Sequence, residues 1–398
     1  MTIGERLKVA RRRAGLSQEI LAERAGVNVD TIRKLEQGQR QSARISTINA
    51  LAHALDLETT ALLIGVPEWE ERDDPNLLAV RRALISVGDF TPSVDDSGED
   101  TPPDVGALRR SVEGAWADYH RADFATLGQT FPRLLTEARI ATHEHSNGAA
   151  AQAYALLAKA HQLGAHVLAR NGMEDLALLS LDRSQTAARA TDDPLLPAMV
   201  ANSIAWIFMR TGRLADSQQV AVSVADSIEP KFRTSERSHI AAYGGLLLSA
   251  AAAAARRGRY DTARELLNVA RAASLRIGDD STDRWITVFG PTAVAIQSVQ
   301  LESAAGEWGT ALHLARRVPM TGKVPDSWKA WFFLDVAQAQ VATYRDSEAV
   351  DTLRVVRRFG PEWLRHAGLA KAVIRELMGR VKRPRGVVAL ADFVGVSH

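Results

Sequence analysis

Apolar residues recur every three or four positions along most of the chain, a spacing typical of α-helices with one buried face. From residue 107 to about residue 382, helical stretches of about 15 to 22 residues alternate with short polar breaks. No segment there alternates apolar and polar residues convincingly as a strand does. Alanine is abundant and aromatic residues make up only 6% of the chain, which also favours helices. The sequence therefore predicts an all-α protein.

The first 66 residues predict five short helices, over residues 3–14, 17–25, 28–37, 46–55 and 59–64. Ser17 and Asn28 are typical N-cap residues for the second and third helices. Gly26 between them suits a turn with positive φ. Ile32 and Leu35 give the third helix an inward face. Two helices joined by a glycine turn form a helix-turn-helix, whose second helix can enter the DNA major groove.

The same stretch resembles the XRE-type (phage-repressor-like) helix-turn-helix family over roughly residues 2–65. The motifs that carry the resemblance are Gly15-Leu16-Ser17-Gln18-Glu19, Leu21-Ala22-Glu23-Arg24-Ala25-Gly26-Val27 and Thr31-Ile32-Arg33-Lys34-Leu35-Glu36-Gln37-Gly38. The resemblance implies base-reading positions at Val29, Asp30 and Lys34, phosphate contacts at Gln18, Arg40 and Arg44, and a structural ion pair between Arg11 and Glu36. It also implies a homodimer bound to an inverted repeat in double-stranded DNA, because two half-sites multiply a weak affinity.

Side-chain chemistry at the start of the third helix is compatible with base reading. Lys34 can donate to guanine, Asp30 can accept from cytosine N4, and the methyl groups of Val29 and Thr31 can pack on thymine. Arg33 can reach a base or a phosphate. The alternatives are a helix-dipole charge for Asp30 and a solvated face for the two basic residues. The amide groups at the helix N-termini that carry Gln18 and Asn28 can also meet phosphates.

Charge is distributed unevenly and suggests four segments. Residues 1–66 hold ten Lys and Arg against seven Asp and Glu, whereas residues 67–105 hold three against eleven. A basic N-terminal domain suits a phosphate backbone. We therefore predict a DNA-binding domain at 1–66, an acidic linker at 67–105 with one amphipathic helix at 76–87, a helical repeat domain at 106–383, and a basic, partly ordered tail at 384–398.

Four polar breaks in the repeat domain are alike, because each contains a glycine followed five residues later by a small residue. The glycines are Gly172, Gly212, Gly258 and Gly306, and the small residues are Ala177, Ser217, Ala263 and Ala311. Tyr344, followed by Ala349, is a fifth copy without the glycine. Intervals of 38 to 48 residues indicate a solenoid of about six helical hairpins with a concave face.

The solenoid resembles tetratricopeptide repeats, for instance in Gly258-Arg259-Tyr260-Asp261-Thr262-Ala263, although its intervals are longer. The whole architecture resembles cytoplasmic bacterial regulators that join an XRE-type domain to such repeats, including actinobacterial examples and the quorum-sensing RRNPP group. That resemblance implies a transcription regulator that senses a signalling peptide or small effector. Asn and Gln side chains suit peptide backbones because they both donate and accept. The candidates for ligand binding are Asn202, Trp206, Arg210, Tyr243, Gln297, Gln300, Trp331 and Gln338, each of which could instead belong to the core.

Other functions find little support in the sequence. There is no cysteine, no phosphate-binding glycine loop and no recognisable catalytic motif. His143-Glu144-His145 lacks a third metal ligand nearby. We therefore expect no catalytic residues, no metal and no cofactor. The apolar run 241–255 is too short to cross a membrane, so we expect a cytoplasmic protein. The alternative function is an interaction protein whose solenoid binds a protein partner, with DNA binding secondary.

Overall fold

The computed structural model describes residues 2–40, 43–55, 57, 59, 62, 75–84, 103–144, 147–280, 288–320 and 324–396. Within these ranges the protein is all-α and contains no strand. The N-terminal helices are α1 (Ile3–Arg13), α2 (Gln18–Ala25), α3 (Val29–Glu36) and α4 (Ile45–Ala54). The predicted caps are confirmed: Ser17 accepts from the Ile20 amide, Gly26 has φ 61°, and Asn28 accepts from the Asp30 amide.

The fifth helix and the linker are described only in part. Thr59 and Leu62 are helical, and Leu62 is buried. Residues 63–74 and 85–102, which include most of the predicted acidic linker, lie outside the described residues. Helix α5 (Pro75–Leu84) packs on the first helices of the solenoid, as its amphipathic pattern predicts. Its C-terminal carbonyls accept hydrogen bonds from Arg139 and Arg183.

Six helical hairpins form the solenoid within the described residues. They pair α6 (Val105–Arg121) with α7 (Phe124–Glu144), α8 (Asn147–Arg170) with α9 (Glu174–Arg189), α10 (Leu195–Arg210) with α11 (Leu214–Ser227), α12 (Arg237–Arg256) with α13 (Tyr260–Ile277), α14 (Pro291–Ala304) with α15 (Trp308–Ala315), and α16 (Asp326–Ala342) with α17 (Asp346–Phe359). The first helix of each hairpin lies on the inner side of the solenoid, where it borders the central cavity described below.

The turns inside these hairpins share one geometry. All four glycines of the predicted breaks have positive φ, between 71° and 78°, and Tyr344 has φ 60° although it carries a side chain. The small residues that follow five positions later, from Ala177 to Ala349, are fully buried. In each turn the amide after the positive-φ residue donates to the carbonyl five residues earlier, as in the bond from Arg213 to Phe208. The first hairpin turns in the same way at Ala122, which the sequence pattern did not reveal.

The solenoid closes on itself, because its first inner helix contacts its last ones. Nδ1 of His120 in α6 lies 2.9 Å from Oγ of Ser327 in α16. The indole nitrogen of Trp363 donates to the His120 carbonyl at 2.9 Å. The rings of Tyr119 and Trp363 meet edge to face with centroids 6.0 Å apart. The inner helices therefore surround a central space.

Helix α12 is apolar and long enough to cross a membrane by length and composition. It packs against α10, α11, α13 and α14, and 78% of its most apolar window is buried. Its alanines and glycines let these four helices approach closely. The helix is therefore a core element of the solenoid.

The C-terminal residues differ from our expectation. Instead of a partly ordered tail over 384–398, residues Val387–Val394 form helix α20, with Leu390 and Ala391 buried. This helix packs on α17, α18 (Pro361–His366) and α19 (Gly368–Met378). The prediction of a partly ordered tail was wrong because Val387, Leu390, Ala391 and Val394 form an apolar face at helical spacing, which is buried.

The helix-turn-helix domain docks on one edge of the solenoid through α4. The Ile45 amide donates to a carboxylate oxygen of Glu376 at 2.6 Å. The guanidinium of Arg44 lies 5.8 Å from the centre of the Tyr344 ring. The His53 ring stacks on Tyr260, with centroids 6.4 Å apart. The domain therefore sits beside the α12–α13 and α16–α17 turns of the solenoid.

Two glycine substitutions test this docking. Gly258→Ala and Gly306→Ala each force alanine into a left-handed turn, which costs about 1–2 kcal/mol of unfolding free energy. A Cβ at position 306 has no neighbour within 4 Å, whereas one at 258 would lie 2.9 Å from Cε1 of His53. We expect Gly258→Ala to lower the free energy of unfolding in urea by more than Gly306→Ala. In a double variant of Gly258→Ala with His53→Ala, the additional loss of unfolding free energy should disappear. Equal losses of unfolding free energy in Gly258→Ala and Gly306→Ala would contradict the docked arrangement.

Candidate DNA-reading surface and solenoid cavity

The recognition helix α3 presents its predicted base-reading side chains on the outside of the protein. Asn28, Asp30, Arg33 and Lys34 are exposed, and Val29 and Thr31 are partly exposed. Arg33 donates to Glu19 at 2.8 Å and lies 3.6 Å from a carboxylate oxygen of Asp30. Its charge is shared with these two carboxylates, whereas Lys34 has no carboxylate partner among the described residues.

An ion pair behind the recognition helix fixes its position. Arg11 in α1 makes two hydrogen bonds to the Glu36 carboxylate, at 2.7 and 2.8 Å, as predicted. Only 3% of the Glu36 side chain is exposed. Burial alone would raise the pKa of Glu36, but hydrogen bonds from Arg11 and Gln18 hold that pKa below its ordinary value. The carboxylate therefore stays charged and keeps α1 and α3 together.

Three predicted phosphate contacts have different surroundings. Gln18 donates its side-chain amide to Glu36 at 2.7 Å, which leaves its backbone at the α2 N-terminus for a phosphate. Arg40 is exposed in the loop after α3. Arg44 is exposed too, but its guanidinium lies over Tyr344 of the solenoid. Their roles on DNA remain predictions.

A cavity of about 1290 Å³ occupies the centre of the solenoid. This volume exceeds the roughly 300–1,000 Å³ of most small-molecule sites. Its wall includes Asn49, His53, Leu57 and Thr59 of the helix-turn-helix domain and Val80 of α5. The DNA-binding domain and the solenoid therefore border one space.

In three successive inner helices, α10, α12 and α14, one face lines the cavity. Relative to the glycine of its turn, a lining residue stands two or three, six, and nine or ten positions earlier. In α10, for example, these positions hold Arg210, Trp206 and Asn202. The spacing is that of a single helical face, so these three hairpins add equivalent sets of side chains.

Seven of the eight predicted ligand residues line this cavity, namely Asn202, Trp206, Arg210, Gln297, Gln300, Trp331 and Gln338. Their role in binding remains a prediction. Tyr243 is not part of the lining: it is 6% exposed, and its ring packs against Phe232. It lies two residues from Gly245, which borders the cavity, and two residues turn a helix by about 200°, so Tyr243 faces the other way.

Sequence reasoning missed the group at the centre of the cavity wall. The Arg170 guanidinium lies 5.0 to 5.3 Å from the ring centres of Trp206, Trp331 and Trp363, and its Nε donates to the hydroxyl of Tyr119 at 3.1 Å. The repeat register could have found it, because Arg170 stands two residues before Gly172 as Arg210 stands before Gly212.

Two histidines beside Arg170 are uncharged at neutral pH. Burial, together with the Arg170 charge, lowers the pKa of His120 to about 4 and that of His166 to about 3. The His166 ring stacks on Trp206 at 4.7 Å, and its Nε2 lies 3.0 Å from Oγ of Ser203. As neutral rings they add shape and hydrogen bonds to the wall without adding positive charge.

Asp335 is an acidic group in the same wall. It borders the cavity but lies deep below the protein exterior, and this burial raises its pKa to about 6. A hydrogen bond from Gln300 at 2.7 Å and the nearby Arg256 charge oppose the shift. Asp335 is therefore mostly ionised at neutral pH and becomes protonated in mild acid.

Comparison with known proteins bears on the N-terminal domain. A family model described as a helix-turn-helix domain matches residues 2–63. Residues 2–63 are a helix-turn-helix domain. This domain supports a role in DNA binding and regulation, as the sequence predicted. No curated protein and no solved structure matched the chain.

The raised pKa of Asp335 predicts a pH-dependent cost to folding. The pKa of Asp335 is about 6 in the native state and near the ordinary 3.8 in the unfolded state. Between these two pH values the native state holds a proton that the unfolded state has lost, so the native state loses stability as the pH rises through 6. Asp335→Asn keeps an acceptor for Gln300 and removes the charge. From pH 5 to pH 7.5, we expect the variant to gain about 1 kcal/mol in unfolding free energy relative to wild type. If the difference in unfolding free energy between variant and wild type is the same at both pH values, the prediction is wrong.

Proposed function

We propose that the protein is a sequence-specific transcription regulator whose solenoid senses a small effector or a short peptide. In this proposal α3 reads DNA, the solenoid cavity holds the effector, and no catalytic step is involved. The protein acts in the cytoplasm as a homodimer on an inverted repeat, because one α3 offers few base contacts.

The shared cavity wall is the observation that supports this proposal. Asn49 and His53 of α4 border the cavity, while Arg33 and Lys34 of α3 lie on the exposed surface of the same small domain. A ligand in the cavity can therefore contact the DNA-binding domain directly. If it favours the docked or the undocked domain, it changes the spacing of two recognition helices and with it the affinity for DNA.

Lys34→Ala tests the DNA-reading surface. We expect it to weaken binding to the DNA upstream of the protein's own gene by about 1–3 kcal/mol, roughly five- to 150-fold, because a base contact of this kind is lost. The measurement is a mobility shift at fixed salt, with an unrelated duplex of equal length as competitor. Arg358→Ala removes the same charge from an exposed position on α17 and serves as the matched control.

The outcomes separate specific from general binding. An equal loss in the two variants, or equal affinity of the wild type for both duplexes, would contradict the proposal. Sedimentation of the protein with its DNA tests the dimer, since two chains per inverted repeat are expected and one chain per duplex contradicts it.

A further inference from the structure

Three arginines occupy the same position in successive hairpins and all line the cavity. Arg170, Arg210 and Arg256 each stand two residues before the glycine of their turn, at the end of an inner helix. Each helix C-terminus carries partial negative charge that favours a cation there. The three side chains form a row of guanidinium groups along the wall.

The row is not fully neutralised by carboxylates within the described residues. Arg256 lies near Asp335, and Arg210 lies 3.4 Å from a carboxylate oxygen of Glu174. Arg170 has no carboxylate partner in the described part of the chain; its hydrogen bond goes to the neutral Tyr119 hydroxyl. The three indole faces offset only part of the cost of holding this partly buried cation away from water. A favourable place for one negative charge therefore remains beside it.

Two donors in the same wall have no acceptor among the described residues. Nε of Arg210 and Nε1 of Trp331 are buried and make no hydrogen bond with that part of the chain. Both groups can only donate. They belong to one cluster with Arg170, because Arg170 lies against the rings of Trp206 and Trp331, and Arg210 lies 5.3 Å from the Trp206 ring. A ligand that brings an acceptor to this cluster would offer these donors the partner that the described residues do not supply.

We propose that this cluster binds the carboxylate of an organic acid, with the guanidinium groups of Arg170 and Arg210 and the Trp331 indole as its contacts. One unneutralised cation matches a monoanion better than the double charge of a phosphate monoester. Arginine also presents paired donors that match the two carboxylate oxygens. The indole rings of Trp206 and Trp363 give the apolar body of the acid a flat surface. This proposal rests on the cavity being the effector site of the regulator.

Paired probes test the charge requirement. Benzoate, 2-naphthoate and indole-3-acetate are titrated into the full chain by calorimetry, each beside its neutral primary amide. We expect at least one acid to bind about tenfold or more tightly than its amide, because a hydrogen bond to a charged group is worth about 1.5–3 kcal/mol. If no acid binds more tightly than its amide, up to millimolar concentration, the proposal is wrong.

A matched pair of variants locates the binding. Arg210→Gln should abolish most of the preference for the acid, while Arg213→Gln should leave it unchanged, because Arg213 is exposed and pairs with Asp216 outside the cavity lining. Trp331→Phe keeps the ring and removes the donor, and it should weaken the acid about tenfold but not the amide. Circular dichroism and thermal unfolding establish that each variant is folded. A preference that survives in both Arg210→Gln and Trp331→Phe contradicts the assigned contacts.

The carboxylate can belong to a free acid or to the C-terminus of a peptide. Short apolar peptides with free and with amidated C-termini are tested as competitors of the bound acid. Displacement by the free form alone identifies a peptide terminus, and no displacement identifies a free acid.

A DNA mobility shift in the presence of the acid then separates the carboxylate site from the proposed sensor function. Binding of the acid without any change in DNA affinity would overturn the sensor function and leave the carboxylate site standing.

Discussion

The contact of Arg170 with Tyr119, Trp206, Trp331 and Trp363 is the interaction on which the closed form of the solenoid depends. These rings come from α6, α10, α16 and α18, so one guanidinium joins the first inner helix to the last. A helical repeat normally contacts only its neighbours and leaves its ends open. Here the ends meet, and the concave face of an open solenoid becomes the wall of a cavity.

Closure also explains where the DNA-binding domain sits. The positive-φ turns of the hairpins lie along one edge of the ring, and α4 packs on that edge through Ile45, His53 and Arg44. The same helix packs on α2, which in turn packs on the recognition helix α3. Asn49 and His53 of α4 border the cavity, so one helix, α2, separates the cavity wall from the DNA-reading helix.

Local signals in the sequence predict the N-terminal helices and the repeat, but not helix α20. Capping residues marked α2 and α3, and the recurring turn was recognised even at Tyr344, where no glycine stands. The turn at Ala122 was missed because it has neither a glycine nor a small residue five positions later. Seven of the eight predicted ligand residues line the cavity because they lie on the inner helices, whereas Tyr243 faces the other side of α12.

Long-range contacts account for what the sequence could not reveal. The bond from Trp363 to His120 joins residues 243 apart, and no local pattern indicates that the solenoid closes there. Arg170 acquires its surroundings only through that closure. The pKa of Asp335 likewise depends on a burial that arises when all inner helices surround one space.

The left-handed turn at Tyr344 has a consequence for local unfolding. A side chain in this conformation costs roughly 1–2 kcal/mol, and the exposed Tyr344 ring lies beside the guanidinium groups of Arg44 and Arg380. When the DNA-binding domain undocks, the contact with Arg44 is lost while the backbone strain stays. The α16–α17 turn then has one contact fewer, so exchange of its amides with solvent reports how often the domain leaves the ring.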